Sequence, residues 1–405
     1  MSGTETRAEP ARTTAEPLWT GPFILLLVSA VFMYLSTFML TPTLPLFAQE
    51  TGAGGIAVGG LIVAAYTLGS LLPRLLWGRL TDTWGRRPVY LTGALILTIV
   101  SPFFGLAAIL PLIIALRFVQ GAGFSASSTA GSTMAADLIP AGRRSEGMGF
   151  YALANTIGMA VGPELGLQLL QGLGHTALFT ASTVAGVIAI VLGLWLTYER
   201  RGAPAAPAAP AAPAPIRTGR SRLIEPSAIP ACLVFLFIVM PYGAIMAYVA
   251  AYGIDRGVTN IGLYFTVFAL ALLLVRLGVG RFADRRGTSA VLLPSFALML
   301  IGLLVFWWAD GLVLFLLSAA LFGLGYGAAL PTVQASAYTL SPADRRGAVS
   351  ATVFSTADIA YGAGAVLLGA AIPLIGFSAA FAGLALFVVA ALVLYLAVLR
   401  PRLPG

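Results

Sequence analysis

The sequence predicts an all-α integral membrane protein, with twelve transmembrane helices in two pseudo-symmetric six-helix bundles. Three observations lead there. The 405-residue chain is 59% hydrophobic and only 9% charged, with a mean hydropathy of +0.94, whereas soluble proteins average about 25% charged residues. Twelve apolar stretches come close to the roughly 20 residues that a bilayer-spanning helix needs. They begin near Pro22, Ile56, Pro88, Leu110, Glu146, Ala177, Ser227, Asn260, Thr288, Leu312, Ala348 and Ser378. Finally, the two halves repeat one another at a constant offset. Runs this long without period-2 alternation exclude a β-barrel.

The net charge of +8 invites a nucleic-acid reading, but its distribution argues against one. Every basic residue is arginine, and nearly all lie in alternate loops, while the other loops hold only Arg256. That is the positive-inside bias. It predicts a multi-pass protein of the cell membrane with both termini cytoplasmic and no nucleic-acid partner. Cys232 is the single cysteine and His175 the single histidine. An intrachain disulfide is therefore excluded, and no metal cluster or nucleophile–base pair is visible. No Walker loop suggests nucleotide use. The chain reads as no enzyme and as needing no cofactor.

Taken in order, residues 1–20 are polar and read as a disordered cytoplasmic tail. The first apolar run is too long for a signal-peptide core, so it reads as a helix. The N-terminal bundle spans 21–198. A Pro/Ala-rich segment, "GAPAAPAAPAAPAPIRTGR", marks a cytoplasmic linker over 199–226; such composition favours an extended, semi-rigid spacer. The C-terminal bundle spans 227–400, and 401–405 form a short tail. "RLLWGRLTDTWG" from Arg74 and "RLGVGRFADRRG" from Arg276 align at the repeat offset, which also brings Pro140, Arg143 and Arg144 onto Pro342, Arg345 and Arg346. Gly121, Gly123 and Gly162 fall on Gly323, Gly325 and Gly364. Transporters built from such repeats place the binding site near mid-membrane, between them.

"GRLTDTWGRRP", with its weaker copy at Gly280, resembles the loop motif after the second helix of the major facilitator superfamily. Helix count, symmetry and linker position extend the resemblance over the whole chain. It implies two bundles that alternate between inward-open and outward-open states. Its gating residues here are Gly78, Arg79, Asp82, Gly85, Arg86 and Arg87, repeated as Gly280, Arg281, Asp284 and Gly287. A carboxylate gains from the partial positive charge at a helix N-terminus. By the resemblance, Asp82 latches the start of the eleventh span near Gly347 in the outward-facing state, while Arg79, Arg86 and Arg87 pair with acids such as Asp137 and Glu146. The alternative is that these charges only obey the positive-inside rule.

"LRFVQGAGFSA" from Leu116 resembles a fourth-helix motif of proton-coupled members, which associates Arg117 with coupling. A charge at this depth is costly and is usually functional or paired; snorkelling is the alternative. "GFYALANTIGMAVGPELG" places Gly149, Gly158, Gly162, Pro163 and Gly166 at the spacing of the antiporter motif of drug:proton exporters, with Leu167 where the last glycine is usual. The glycines give a face for close packing, and Pro163 favours a kink. Glu164 lies at about the depth of Arg117, so an ion pair between them is expected, either proton-coupled or static.

Inside "STADIAYGAGA", Asp358 lies about 16 Å into its helix, near the bilayer centre. Desolvation there disfavours its charged form, so it should face the cavity and carry a proton or meet a cationic substrate. A fixed hydrogen-bond network with Tyr361 or Tyr242 is the alternative. Tyr34, Asn155, Thr156, Tyr242 and Tyr361 are the expected cavity residues. The sequence thus predicts a monomeric secondary transporter, in the lipid bilayer, of small organic molecules or drugs. It would export them in exchange for protons, with the proton gradient as energy source. The alternative in transport is an uptake symporter for a sugar or metabolite; the remote ones are a transport-dead sensor or a membrane enzyme.

Overall fold

The computed structural model describes residues 17–107, 109–140, 143–196, 225–342 and 345–403. The expected N-terminal tail up to residue 16 and nearly all of the expected linker lie outside the described residues. So do the surroundings of Gly280, Arg281, Asp284 and Gly347.

Among the described residues there are twelve α-helices, but they do not map one to one onto the twelve expected spans. The first span is α1 (Gly21–Phe38) followed by α2 (Leu40–Glu50). Thr20 caps α1 by accepting from the Phe23 N–H, and Pro22 suits the first turn. Pro42 and Pro45, which lack N–H donors, favour the break at Met39. The second span is α3 (Val58–Leu71) with α4 (Arg74–Thr83), bent by 41° at Pro73. Then come α5 (Arg86–Phe103) and α6 (Leu110–Leu138). Gly85 has φ of 100° and Gly287 has φ of 82°. The two motif glycines therefore make the same left-handed turn, one that a side chain would strain.

Spans five and six run through α7 (Arg144–Trp195, 52 residues), two helical arms joined at Gly174. At about 1.5 Å per residue it would exceed twice the roughly 30 Å hydrocarbon core. It folds back at Gly174, where φ is 81°. The packing shows the reversal. Gly158 and Gly162 lie under Tyr34 and Phe38, rising with α1, whereas Ser29 and Ser36 hydrogen-bond to Ala189 and Ser182, descending against it. The second half repeats the plan with α8 (Ile229–Asp255), α9 (Leu263–Arg286), α10 (Thr288–Trp307), α11 (Leu312–Thr339) and α12 (Arg346–Leu394). Helix α12 turns at Gly376, with φ of 77°, the repeat partner of Gly174. Exposed Leu68, Leu274, Val313 and Leu386 form the apolar exterior that a bilayer covers.

The glycine face of the fifth span packs inside its own half. A Cβ on Gly158 would sit 2.4 Å from the Tyr34 Cβ, and one on Gly166 would sit 2.4 Å from the Met39 carbonyl oxygen. A Cβ on Gly364, the repeat partner of Gly162, would sit 2.0 Å from the Met240 carbonyl oxygen. Backbone cannot yield there, so Gly364→Ala should lower stability by about 1–3 kcal/mol. Gly149→Ala, with nothing within 4 Å, should leave it unchanged or raised. Thermal unfolding of the detergent-solubilised protein compares the two.

Candidate functional site

The two halves meet along two related seams. In the first, α3 lies on α12: Gly60 touches the Ala365 carbonyl, Gly362 packs on Thr67, and Arg74 reaches Asp358. In the second, α9 lies on α7: Gly262 touches Glu164, and Thr266 donates to the Ala160 carbonyl at 3.1 Å. Tyr248 adds a bond of 3.4 Å to the Ala57 carbonyl. These contacts seal the end opposite the arginine-rich loops. At the arginine-rich end Asp82, Arg285 and Arg286 are exposed.

Below the seal, between the halves, lies a cavity of about 150 Å³. Asp358, Arg117, Tyr242, Tyr361 and Tyr66 line it, together with apolar residues such as Phe38 and Phe124. Asp358 and Tyr361 are three residues apart on α12 and so share a face. The Asp358 Oδ2 accepts from Arg74 Nη2 at 3.0 Å, and the same Nη2 donates to Ser70 Oγ at 2.9 Å. The aspartate therefore sits mid-span as one member of an ion pair across the two halves. Neither alternative partner, Tyr242 or Tyr361, makes this bond. Arg74 was visible only as the first residue of a repeated motif; its depth, one helical turn above the loop glycine, was the unused signal.

Arg117 and Glu164 do not form the expected ion pair. Arg117 is fully buried: Nη1 donates to Gln120 Oε1 at 2.7 Å and Nη2 to the Leu40 carbonyl at 2.6 Å, beside the α1–α2 break. Its guanidinium lies 5.3 Å from the centre of the Tyr66 ring. Glu164 faces the second seam, where its Oε1 accepts from Gln168 at 2.5 Å and its Oε2 is buried against Gly262. Equal depth was right to compare, but the two side chains leave their helices in different directions. Of the expected cavity residues, Tyr242 and Tyr361 line it. Tyr34 sits one layer back, stacked on Phe38 with centroids 6.1 Å apart. Neither Asn155 nor Thr156 is among the residues lining it; Thr156 bonds back to the Ala152 carbonyl at 3.2 Å.

In the gating loop, Arg86 pairs with Asp137 at 2.7 Å, as expected. Glu146 instead pairs with Arg143 at 2.7 Å, three residues away. Arg87 donates to the Gly193 and Leu194 carbonyls at the end of α7, where a cation suits the helix C-terminus. Exposed Asp82 makes no ion pair or hydrogen bond among the described residues, and its expected partner near Gly347 lies outside them.

The family described as Major Facilitator Superfamily matches residues 26–262 and 252–405. A multidrug resistance efflux pump PmrA homolog of Lactococcus lactis is 24% identical over 92% of this chain and 93% of its own. The staphylopine export protein of Staphylococcus aureus is 22% identical, over 88% and 90%. An uncharacterized MFS-type transporter of Mycobacterium tuberculosis reaches 30% identity, but over only 39% of this chain and 28% of its own. Among solved structures, a bacterial homolog of the human lysosomal transporter Spinster, inward-facing and occupied, superposes with a TM-score of 0.73 at 16% identity, covering 93% and 96%.

The Arg74–Asp358 pair joins the second span to α12 across the two halves beside the cavity. Arg74→Gln and Asp358→Asn should each lower stability by about 1–3 kcal/mol, since each strands one charge. The double variant should recover at least about 1 kcal/mol of the summed loss. A double-mutant cycle on thermal unfolding checks this.

Proposed function

Since the chain belongs to the Major Facilitator Superfamily, a family of transporters and not enzymes, we propose that it exports small organic compounds in exchange for protons. The observation that carries the reading is the Arg74–Asp358 bridge, which joins the halves at the cavity. Two near-full-length relatives are named as exporters, which supports the direction. The arginine bias assigns the open end to the cytoplasm, making this conformation inward-facing.

In the cycle, Asp358 takes up a proton while the cavity faces outward. Neutral Asp358 needs no counter-charge, so the halves rock and the cavity opens to the cytoplasm before the bridge has formed. There the proton leaves, the bridge forms as seen here, and substrate enters. Glu164 senses closure of the far end, because sealing buries its carboxylate against Gly262, a burial that a charged group resists. Arg117 holds the α1–α2 break through the Leu40 carbonyl and so positions the cavity wall. Asp82 latches the arginine-rich end in the outward-facing state, when the halves meet there.

Inside-out vesicles with an acidified lumen and a pH-sensitive dye test the reading. Some compounds of a cationic, neutral and anionic panel should release protons, and Asp358→Asn should abolish the release. Release retained by that variant, or no release by any compound with correct insertion, overturns antiport; the latter outcome with whole-cell uptake establishes the symporter. Asp82→Asn should slow transport several-fold at normal expression, read as substrate efflux per unit protein; full transport removes the latch.

A further inference from the structure

The two seams are related by the internal repeat, yet their charges are not. Arg74 and Arg276 are repeat partners, as are Asp358 and Thr156. At the first seam arginine meets aspartate at 3.0 Å. At the same level of the second seam stands Arg276, and the position that would answer it holds an uncharged threonine occupied with its own helix. Arg276 is close enough to Tyr242 and Tyr326 to interact with them electrostatically, and these two rings stack at 4.6 Å. Tyr242 lines the cavity, so Arg276 adjoins a residue of its wall without itself lining it. The arginine retains an exposed surface though largely surrounded by protein, and makes no ion pair or hydrogen bond among the described residues.

Among the described residues, the charged groups around this level of the cleft are then three arginines, Arg74, Arg117 and Arg276, and one aspartate, Asp358; Glu164 lies about two turns further along α7, in the sealed part of the second seam. The balance is positive. Two of these arginines also keep a buried Nε without a hydrogen-bond partner, Arg74 and Arg117. The cleft is rich in donors and poor in acceptors. A cation entering it meets a net repulsion, and the one carboxylate is already taken. Low local dielectric amplifies both effects.

We propose that the transported compound carries an anionic group, a carboxylate or a group of the same charge and shape, and that Arg276 binds it. The guanidinium fork matches two carboxylate oxygens at once, and the stacked Tyr242 and Tyr326 beside it supply a flat apolar wall for an adjoining ring. The compound supplies the negative charge that the repeat left out at residue 156. This deepens the export reading and rests on it: it replaces the cationic substrate with an acidic or zwitterionic one.

The test uses the purified full chain in nanodiscs and fluorescent matched probes, dansylglycine with dansylglycinamide and naphthylacetate with naphthylacetamide. Wild type should prefer the carboxylate of a pair by on the order of ten- to a hundredfold. Arg276→Gln should bring the pair to parity, and Arg276→Lys, which keeps the charge without the fork, should retain part of the preference. Thr156→Asp, which leaves Arg276 in place and supplies the missing acid, should also erase it. Thermal unfolding of each variant confirms that it is folded. Preference for the amides, no binding of either carboxylate, or a preference that survives both Arg276→Gln and Thr156→Asp overturns the proposal. If neutral or cationic compounds release protons in the vesicle assay while carboxylates do not bind, export stands and the anion site falls. If carboxylates bind through Arg276 but no compound moves protons, the anion site stands and antiport falls.

Discussion

A charge in the middle of a membrane needs a counter-charge, and much of this architecture follows from how Asp358 obtains one. Its partner, Arg74, belongs to the other half of the molecule. Removing either group from water costs several kcal/mol, offset only while the two remain in contact. The bridge therefore ties local chemistry to global shape. To separate the halves at this level is to separate the charges, unless a proton first neutralises the acid. A bridge within one half would have stabilised the same aspartate without any such link.

The duplication supplies the frame in which that link has meaning. Each half turns its paired spans at a glycine in the left-handed region, Gly174 and Gly376, and turns its motif loop at another, Gly85 and Gly287. Each packs a small-residue face of its fifth or eleventh span on the first or seventh, through Gly162 on Phe38 and Gly364 on Met240. Backbone and packing are repeated with fidelity. Charge is not: an acid stands at residue 358 and a threonine at 156. Two copies of a scaffold thus carry one ion pair and one arginine without an acidic answer, an asymmetry that a perfectly symmetric chain would lack.

Nearly all of the scaffold was legible in the sequence, because hydropathy, arginine placement and a repeat offset are long-range averages that tolerate local error. The motif glycines were legible for a different reason, since a left-handed turn admits few other residues. The pairing of side chains was harder. Depth along a helix follows from counting, but azimuth does not, and the expected partnership of Arg117 with Glu164 failed on azimuth alone. Arg117 turned toward the Leu40 carbonyl, a backbone group that no side-chain pattern advertises. Arg74 was hidden by its membership of a loop motif whose better-known residues lie nearer the membrane surface. Tyr242 and Tyr361 were found because large polar rings in apolar spans have few places to go, whereas the small side chain of Thr156 bonds its own helix and could face anywhere.

The sealed end is built from unusually little side chain. Gly60 rests on the backbone of Ala365, Gly262 on the body of Glu164, and Thr266 hands its hydroxyl to a main-chain carbonyl. Surfaces of this kind meet without interlocking. Apart from the buried Tyr248 ring, they have few rotamers to freeze on closing and few to release on opening. The seam should behave as a smooth bearing rather than a latch with teeth: low friction, fast reversal, and little memory of how often it has turned. Speed at this gate would then be set by the electrostatic clasp beneath it, leaving the far end to follow.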